Sequence, residues 1–223
     1  MTSLDRRALA RLITSIEAGE PVAGPQAEST ARRIGITGPP GAGKSTLVNG
    51  LIGELRARGQ TVGVLAVDPS SPITGGALLG DRIRMQGHID DEGVFVRSMA
   101  SRGHLGGLAA TASEVLDLMA SSGFDVVLVE TVGVGQSEVE VMDLVDKVAV
   151  VLAPGWGDQI QAEKAGIVEI ADIVVINKGD LPGVEGLERS LRQALGDTAK
   201  VQVTMATTGE GIADLVDALL SVE

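Results

Sequence analysis

The segment best suited to chemistry is a glycine-rich loop that reads Gly38-Pro39-Pro40-Gly41-Ala42-Gly43-Lys44-Ser45. It matches the pattern G-x-x-x-x-G-K-[ST] between an apolar run and a segment of helical period, the context that the pattern requires. Glycines let the backbone wrap around an anion while successive amides and a helix N-terminus point at it. We predict that Lys44 reaches the β- and γ-phosphates and that Ser45 offers its hydroxyl to Mg²⁺, with Thr46 included in this nucleotide-binding loop.

Acidic residues close two other apolar runs. Glu130 follows VVLV at 126–129, and Asp68 ends VGVLAVD at 62–68. The carboxyl ends of parallel strands face the crevice where ligands bind, and Mg²⁺ prefers oxygen ligands. We predict that Asp68 and Glu130 hold the ion or its waters. Asp81 is a third candidate ligand, with helix capping as the competing interpretation.

A second loop indicates which base is bound. Asn177-Lys178-Gly179-Asp180 follows the apolar run IVVI. The Asp180 carboxylate offers two acceptors, which match the adjacent N1–H and 2-amino donors of guanine, whereas adenine lacks these donors. Asn177 and the stem of Lys178 would brace the loop and cover the base. The backbone N–H of Ala206 is the candidate donor to the guanine O6.

Strands and helices alternate along the chain that carries these loops. Seven short runs are rich in β-branched residues and mostly apolar along their length, as in strands covered on both faces, and most are separated by segments of helical period. The pattern predicts an α/β fold, a three-layer P-loop NTPase with a mainly parallel sheet. The predicted strands are 34–37, 62–67, 94–97, 125–130, 148–153, 173–176 and 201–204.

An additional segment precedes the sheet. Apolar residues at 4–16 share one face of a short N-terminal helix, and the stretch EPVAGPQAEST at 20–30 has the composition of a linker. We therefore divide the chain into an N-terminal helix and linker at 1–31 and a GTPase domain at 32–223. Packing against the flank of the domain is the expected role of the helix.

Composition excludes several kinds of partner and site. The chain of 223 residues has no cysteine, which excludes disulfides and thiolate metal sites and fits a reducing cytoplasm. A net charge of −12 and 1% aromatic residues argue against nucleic acid and against an anionic membrane surface. No apolar run is long enough to span a bilayer, and the charged N-terminus does not resemble a signal peptide.

The order of several motifs resembles the MeaB/ArgK family of GTPases. These motifs are GPPGAGKST, AVDPSSP, TGGALLGDRIRM, LVETVGVGQSE, PGWGDQIQAEKAGIVEIAD and NKGD. The resemblance implies a chaperone of an adenosylcobalamin-dependent acyl-CoA mutase, chiefly methylmalonyl-CoA mutase, and many family members carry the label of arginine/ornithine transport kinase. Combined with the motifs, it predicts slow Mg²⁺-dependent hydrolysis of GTP to GDP and phosphate.

The resemblance also implies roles that spacing alone does not. Segments 68–85 and 131–141 would be switches that respond to the γ-phosphate, and a further switch at 154–166 would communicate with the mutase through Asp158, Gln161 and Lys164. Lys44, Glu130 and Gln136 are the candidate catalytic residues, with Gln136 either positioning water or making an ordinary loop hydrogen bond. The family's C-terminal dimerisation arm has no counterpart before Glu223, so we do not expect a homodimer formed by such an arm.

Three alternative functions remain open at this point. A kinase of the arginine/ornithine transport type would transfer the γ-phosphate to a second substrate. A metal-delivery GTPase would be expected to carry Cys or His clusters, whereas this chain has no cysteine and two separate histidines. A binding module would use GTP only as a conformational ligand.

Overall fold

A computed structural model describes residues 5–22, 29–68, 86–88, 90–100, 107–131, 140–155, 170–196 and 200–221. The helices are α1 (Arg6–Glu17), α2 (Lys44–Ala57), α3 (Gly107–Ser121), α4 (Val184–Leu195) and α5 (Ile212–Leu220), with a short 3₁₀ turn at Gln86–His88. The strands are β1 (Arg32–Thr37), β2 (Val62–Asp68), β3 (Val94–Ala100), β4 (Val126–Thr131), β5 (Lys147–Leu152), β6 (Ile173–Ile176) and β7 (Lys200–Val203).

The seven strands form one parallel sheet in the order β3-β2-β4-β1-β5-β6-β7. Strand β1 is central and leads into the phosphate-binding pattern. Strands β2, β3 and β4 lie on one side of it and β5, β6 and β7 on the other, so the strand order reverses at β1. In parallel sheets, ligands bind in the crevice at the strand ends where the order reverses, here at the ends of β1 and its neighbour β4. Ile36 of β1 is in register with Glu130 of β4. The predicted α/β fold and its seven strands are confirmed.

Each face of the sheet carries its own apolar core. Side chains of α2 and α5 pack on one face, and those of α1 and α3 pack on the other. Strands between two helical layers must be apolar on both sides, which explains the continuous apolar runs. Leu51 of α2 and Leu215 of α5 are fully buried. Burial of each such leucine side chain stabilises the folded state by about 1.5–3 kcal/mol. This packing holds the start of α2 against the sheet.

Helix α1 is packed into the second of these cores. Leu9, Ile13 and Ile16 are buried against α3 and β3, which explains the spacing of apolar residues in this segment. Arg97 of β3 forms an ion pair with Glu17 near the end of the helix. The boundary between the N-terminal segment and the domain, placed between residues 31 and 32, stays a prediction. None of the helices in the described ranges is long and apolar enough to cross a membrane.

An ion pair ties the end of α2 to the turn before β3. The Arg56 guanidinium donates to both carboxylate oxygens of Asp91, at 2.9 and 3.0 Å, and the Gly93 amide donates to the same carboxylate at 2.8 Å. The hydrogen bond from Arg56 and then that from Gly93 lower the pKa of Asp91, while the bond to Asp91 raises the pKa of Arg56. This contact lies at the N-terminal end of β3.

Candidate functional site

The glycine-rich loop joins the end of β1 to the start of α2. Gly38 has φ +143°, and a Cβ there would lie 2.2 Å from the Val151 carbonyl oxygen, so a side chain has no room. Lys44, the first residue of α2, is 6% exposed. Its ammonium donates to the carbonyls of Gly38 and Pro39 at 2.7 and 3.1 Å. The lysine side chain therefore folds back over its own loop and is held there by these two carbonyls.

Ser45 and Glu130 meet at the end of the sheet. The Ser45 hydroxyl donates to Glu130 Oε1 over 2.6 Å, and the two residues are 8% and 2% exposed. Glu130 points to the face covered by α2 because it lies two residues beyond Leu128, which packs in that core. A hydroxyl and a carboxylate in contact are hard oxygen ligands, so these residues fit Mg²⁺.

The predicted guanine loop is bonded to the phosphate loop. The Asn177 side-chain amide donates to the Ala42 carbonyl at 3.1 Å. Its carbonyl accepts from the Ala206 amide at 3.1 Å and from the Thr204 hydroxyl at 3.3 Å. Asn177 is 2% exposed, so all three contacts are shielded from water. The Ala206 N–H, predicted to bind the guanine O6, thus has Asn177 as its partner in this structure.

Lys178 and Asp180 complete this second loop. Lys178 has a positive φ of +61°, rare for a residue with a side chain. Its ammonium donates to the Gly41 carbonyl at 2.8 Å. Asp180 is exposed, with its carboxylate accessible to a ligand. The Lys178 side chain is therefore directed to the phosphate loop, while Asp180 lies at the surface.

The structure brings most of the predicted nucleotide-binding residues together. The phosphate loop, Glu130, Asn177, Lys178 and Ala206 are connected by the contacts above, while Thr46 is exposed on the first turn of α2. Asp68 is the last residue of β2, and its side chain is not described. Five predicted residues lie outside the described residues: Asp81, Gln136, Asp158, Gln161 and Lys164.

Three buried threonines near the site were missed by sequence analysis. Thr37 ends β1, Thr131 ends β4 and Thr204 follows β7, and all three are no more than 2% exposed. The Thr131 hydroxyl donates to the Thr37 hydroxyl at 2.9 Å. A polar residue that closes an otherwise apolar strand just before a functional loop was the available signal.

Comparisons with known proteins identify relatives of this chain. The family described as "Methylmalonyl Co-A mutase-associated GTPase MeaB" matches residues 9–222. A putative GTPase of Pyrococcus horikoshii is 48% identical over 232 residues, which cover 95% of this chain and 72% of that protein. The mouse protein named "Methylmalonic aciduria type A homolog, mitochondrial" is 41% identical over 198 residues, which cover 84% of this chain and 48% of the mouse protein.

A solved structure also has this fold. The chain is similar to a protein described as "LAO/AO transport system kinase", with a TM-score of 0.68 and 27% identity. The similarity covers 98% of this chain and 76% of that protein. The family match extends over both loops and over most of the N-terminal helix. The chain therefore belongs to the MeaB family of methylmalonyl-CoA mutase-associated P-loop GTPases.

Proposed function

We propose that the protein hydrolyses GTP to GDP and phosphate with Mg²⁺ and that its nucleotide state controls an adenosylcobalamin-dependent acyl-CoA mutase, such as methylmalonyl-CoA mutase. One observation carries the nucleotide assignment. The phosphate loop and the guanine loop are bonded to each other through Asn177 to Ala42 and through Lys178 to Gly41. One ligand that carries both a guanine base and a polyphosphate would span these two loops.

The residues of the phosphate loop would bind and position the triphosphate. Lys44 is buried and held near the loop by the carbonyls of Gly38 and Pro39. A phosphate oxygen can replace these neutral carbonyl acceptors, because its negative charge adds Coulomb attraction to the hydrogen bond from the ammonium. Backbone amides at the start of α2 add the positive end of the helix dipole. Catalysis would rest on positioning and charge neutralisation, as in phosphoryl transfer generally.

Ser45 and Glu130 are the residues that would hold Mg²⁺. Their oxygens already lie 2.6 Å apart in a buried position at the end of β4. When bound, Mg²⁺ neutralises charge on the β- and γ-phosphates. Asp68 ends the neighbouring strand β2, with Ala66 in register with Glu130, and it stays a candidate for the same ion.

The mutase part of the proposal is supported by relatives. The family is described as associated with methylmalonyl-CoA mutase, and the mouse relative is named for methylmalonic aciduria. A switch needs slow hydrolysis that a partner can accelerate. Because the residues proposed to contact the mutase lie outside the described residues, the partner must be tested directly.

Competition binding tests the nucleotide assignment. GTP and GDP should displace a fluorescent GDP analogue in the presence of Mg²⁺ far more effectively than ATP and ADP. Equal displacement by ATP would refute the guanine assignment. Replacing Asp180 with Ala should remove this preference, because the paired acceptors for N1–H and the 2-amino group are then lost.

Turnover and partner are measured in a second assay. Phosphate release from GTP should be slow with the protein alone and faster when a purified cobalamin-dependent acyl-CoA mutase is added. With a non-hydrolysable GTP analogue, the protein and the mutase should elute together in size-exclusion chromatography. Arginine and ornithine are added in a parallel reaction. Phosphorylation of either acceptor would favour a kinase over a hydrolase. No acceleration and no complex with the mutase would refute the partner assignment while leaving GTP hydrolysis intact.

A further inference from the structure

The end of β4 is bonded to a neighbouring element on each face of the sheet. On the face covered by α2, Ser45 donates to Glu130. On the opposite face, Thr131 donates to Thr37 over 2.9 Å. Neighbouring residues of a strand point to opposite faces, so Glu130 and Thr131 extend in opposite directions from one peptide unit. The carboxylate and the hydroxyl are therefore fixed by partners on either side of the sheet.

The hydroxyl pair lies where the ladder between the two strands stops. The last pair in register between β1 and β4 is Ile36 with Glu130. Thr37 is the last residue of β1, and the next residue, Gly38, begins the phosphate loop. Strand ends lose regular backbone pairing, so side chains decide how well such a position is fixed. The Thr37–Thr131 contact adds a connection one residue beyond the ladder.

Burial strengthens the preference for this hydroxyl–hydroxyl bond. Thr37 is 2% exposed and Thr131 is fully buried, and neighbouring side chains of that face belong to the apolar core around α1 and α3. The Thr131 hydroxyl donates to Thr37 in these surroundings, and separating it from that acceptor would be costly, so an arrangement that keeps the bond is favoured. Rotation of the peptide between Glu130 and Thr131 would separate the hydroxyls. The same rotation would turn the Glu130 carboxylate away from Ser45.

We propose that the Thr37–Thr131 hydroxyl pair is a positioning device that holds Glu130 in the orientation needed at the Mg²⁺ site and couples the end of β4 to the phosphate loop. The inference rests on the proposed function, since it concerns the same metal site. Thr131 and Thr37 are positioning residues, because they act through Glu130 and the loop rather than on the nucleotide.

The test is the gain in GDP affinity that Mg²⁺ produces. The dissociation constant of a fluorescent GDP analogue is measured in EDTA and in Mg²⁺, and the ratio of the two is the Mg²⁺ gain. T131V keeps the shape of the side chain and removes the hydroxyl. We expect T131V to reduce the Mg²⁺ gain by about three- to tenfold, with affinity in EDTA within about twofold of the wild type.

Two matched variants control for shape and for general damage. T131S restores a hydroxyl and should keep the Mg²⁺ gain within about twofold of the wild type. T61V removes a threonine hydroxyl that donates to Asp125 Oδ2 at 2.8 Å, just before the start of β2 and at the opposite end of the sheet. This control should leave the affinity for the GDP analogue unchanged both in EDTA and in Mg²⁺. Melting curves of all variants establish that each is folded.

A double variant tests whether the two hydroxyls act as one unit. T37V should also reduce the Mg²⁺ gain. The double variant T37V/T131V should lose no more of this gain than the more affected of the two single variants, because each change breaks the Thr37–Thr131 bond. If T131V does not fold, T37V and T37S provide the same comparison from the side of β1. Losses that multiply in the double variant would show two separate effects and refute the pairing.

Other results would also overturn the inference. An unchanged Mg²⁺ gain in T131V would show that the hydroxyl does not position Glu130. An equal loss in T131S, or a parallel loss of affinity in EDTA, would indicate a purely structural role. A wild-type protein that binds no guanine nucleotide would refute the proposed function and this inference together, whereas a normal wild type beside an unaffected T131V refutes only the inference.

Discussion

The side-chain amide of Asn177 lies 3.1 Å from the Ala42 carbonyl and next to Gly43. A Cβ added to Gly43 would lie 2.4 Å from Asn177 Nδ2, a distance that real Cβ atoms do not adopt. Gly43 also has φ +93° and is the N-cap residue of α2. The glycine is therefore required both by the turn and by the approach of Asn177, so the loops proposed to bind phosphate and base meet at this position.

Replacing Gly43 with Ala is expected to abolish GDP binding. The new methyl group would push Asn177 away from Ala42, and the positive φ would add strain of about 1–2 kcal/mol. The matched control is Gly59→Ala, because Gly59 has φ +79° with nothing within 4 Å of its added Cβ. Isothermal titration with GDP and a melting curve separate the two effects.

The control should lose stability but not affinity. For a chain of this size, 1 kcal/mol corresponds to a melting shift of about 2–4 °C. G59A should melt a few degrees lower and bind GDP normally. If G43A bound GDP like the wild type, the close approach of Asn177 would have no functional importance.

Asp180→Asn is expected to exchange base preference. The amide offers one donor in place of a second acceptor, so it no longer matches the two donors of guanine. Xanthine carries a carbonyl where guanine has its 2-amino group, and it can accept from that amide. Competition binding should show a loss of GDP affinity and a gain for xanthosine diphosphate. A variant that kept full GDP affinity would contradict the role assigned to the exposed Asp180 carboxylate.

The sequence predicted the strands and the positions of the two loops that follow β1 and β6, because their patterns are local. An apolar run such as VVLV in β4 and the spacing of Gly38, Gly43 and Lys44 can be read within a few residues. The same holds for the order Asn177, Lys178, Asp180. These patterns depend on backbone conformation and on side-chain chemistry, and both are encoded in neighbouring positions.

Contacts between distant residues were not predictable in the same way. Thr131 and Thr37 are 94 positions apart, and nothing in either strand shows that the two hydroxyls face each other. The use of the Ala206 amide by Asn177 likewise depends on the three-dimensional placement of two loops. Register between strands decides such contacts, and a single sequence does not specify register between strands joined by long connections.

The ion pair of Asp91 predicts a specific acid sensitivity. The bond from Arg56 and the Gly93 amide lower the pKa of Asp91 in the folded protein. A lowered folded pKa means that this group stabilises the fold above its unfolded pKa, about 3.9, and loses that contribution as pH falls through the folded value. D91N should therefore be less stable than the wild type near pH 7. The difference in unfolding free energy between the wild type and D91N should narrow only below about pH 4.

Urea unfolding at several pH values measures this difference. The control is D117N, which removes a partner of Arg33 in an ion pair where the Asp117 side chain is 64% exposed. Exposed pairs contribute little, so this variant should stay close to the wild type. A gap between wild type and D91N that stayed constant down to pH 3 would show that Asp91 ionisation is not responsible.

Replacing Lys44 with Ala should reduce GTP hydrolysis by at least about 100-fold, the usual effect of removing a preorganised charge from a phosphoryl-transfer site. The matched control is Lys147→Ala. Lys147 donates to the Ala218 carbonyl at 3.1 Å near the end of α5, so its loss should lower stability alone. Single-turnover phosphate release, measured on variants shown to be folded, compares the two. Because the Lys44 ammonium donates to the Gly38 and Pro39 carbonyls at 2.7 and 3.1 Å, its removal also takes two hydrogen bonds from the loop. K44A should therefore lose GDP affinity as well as turnover, and unchanged hydrolysis in K44A would mean that the phosphate loop has been misassigned.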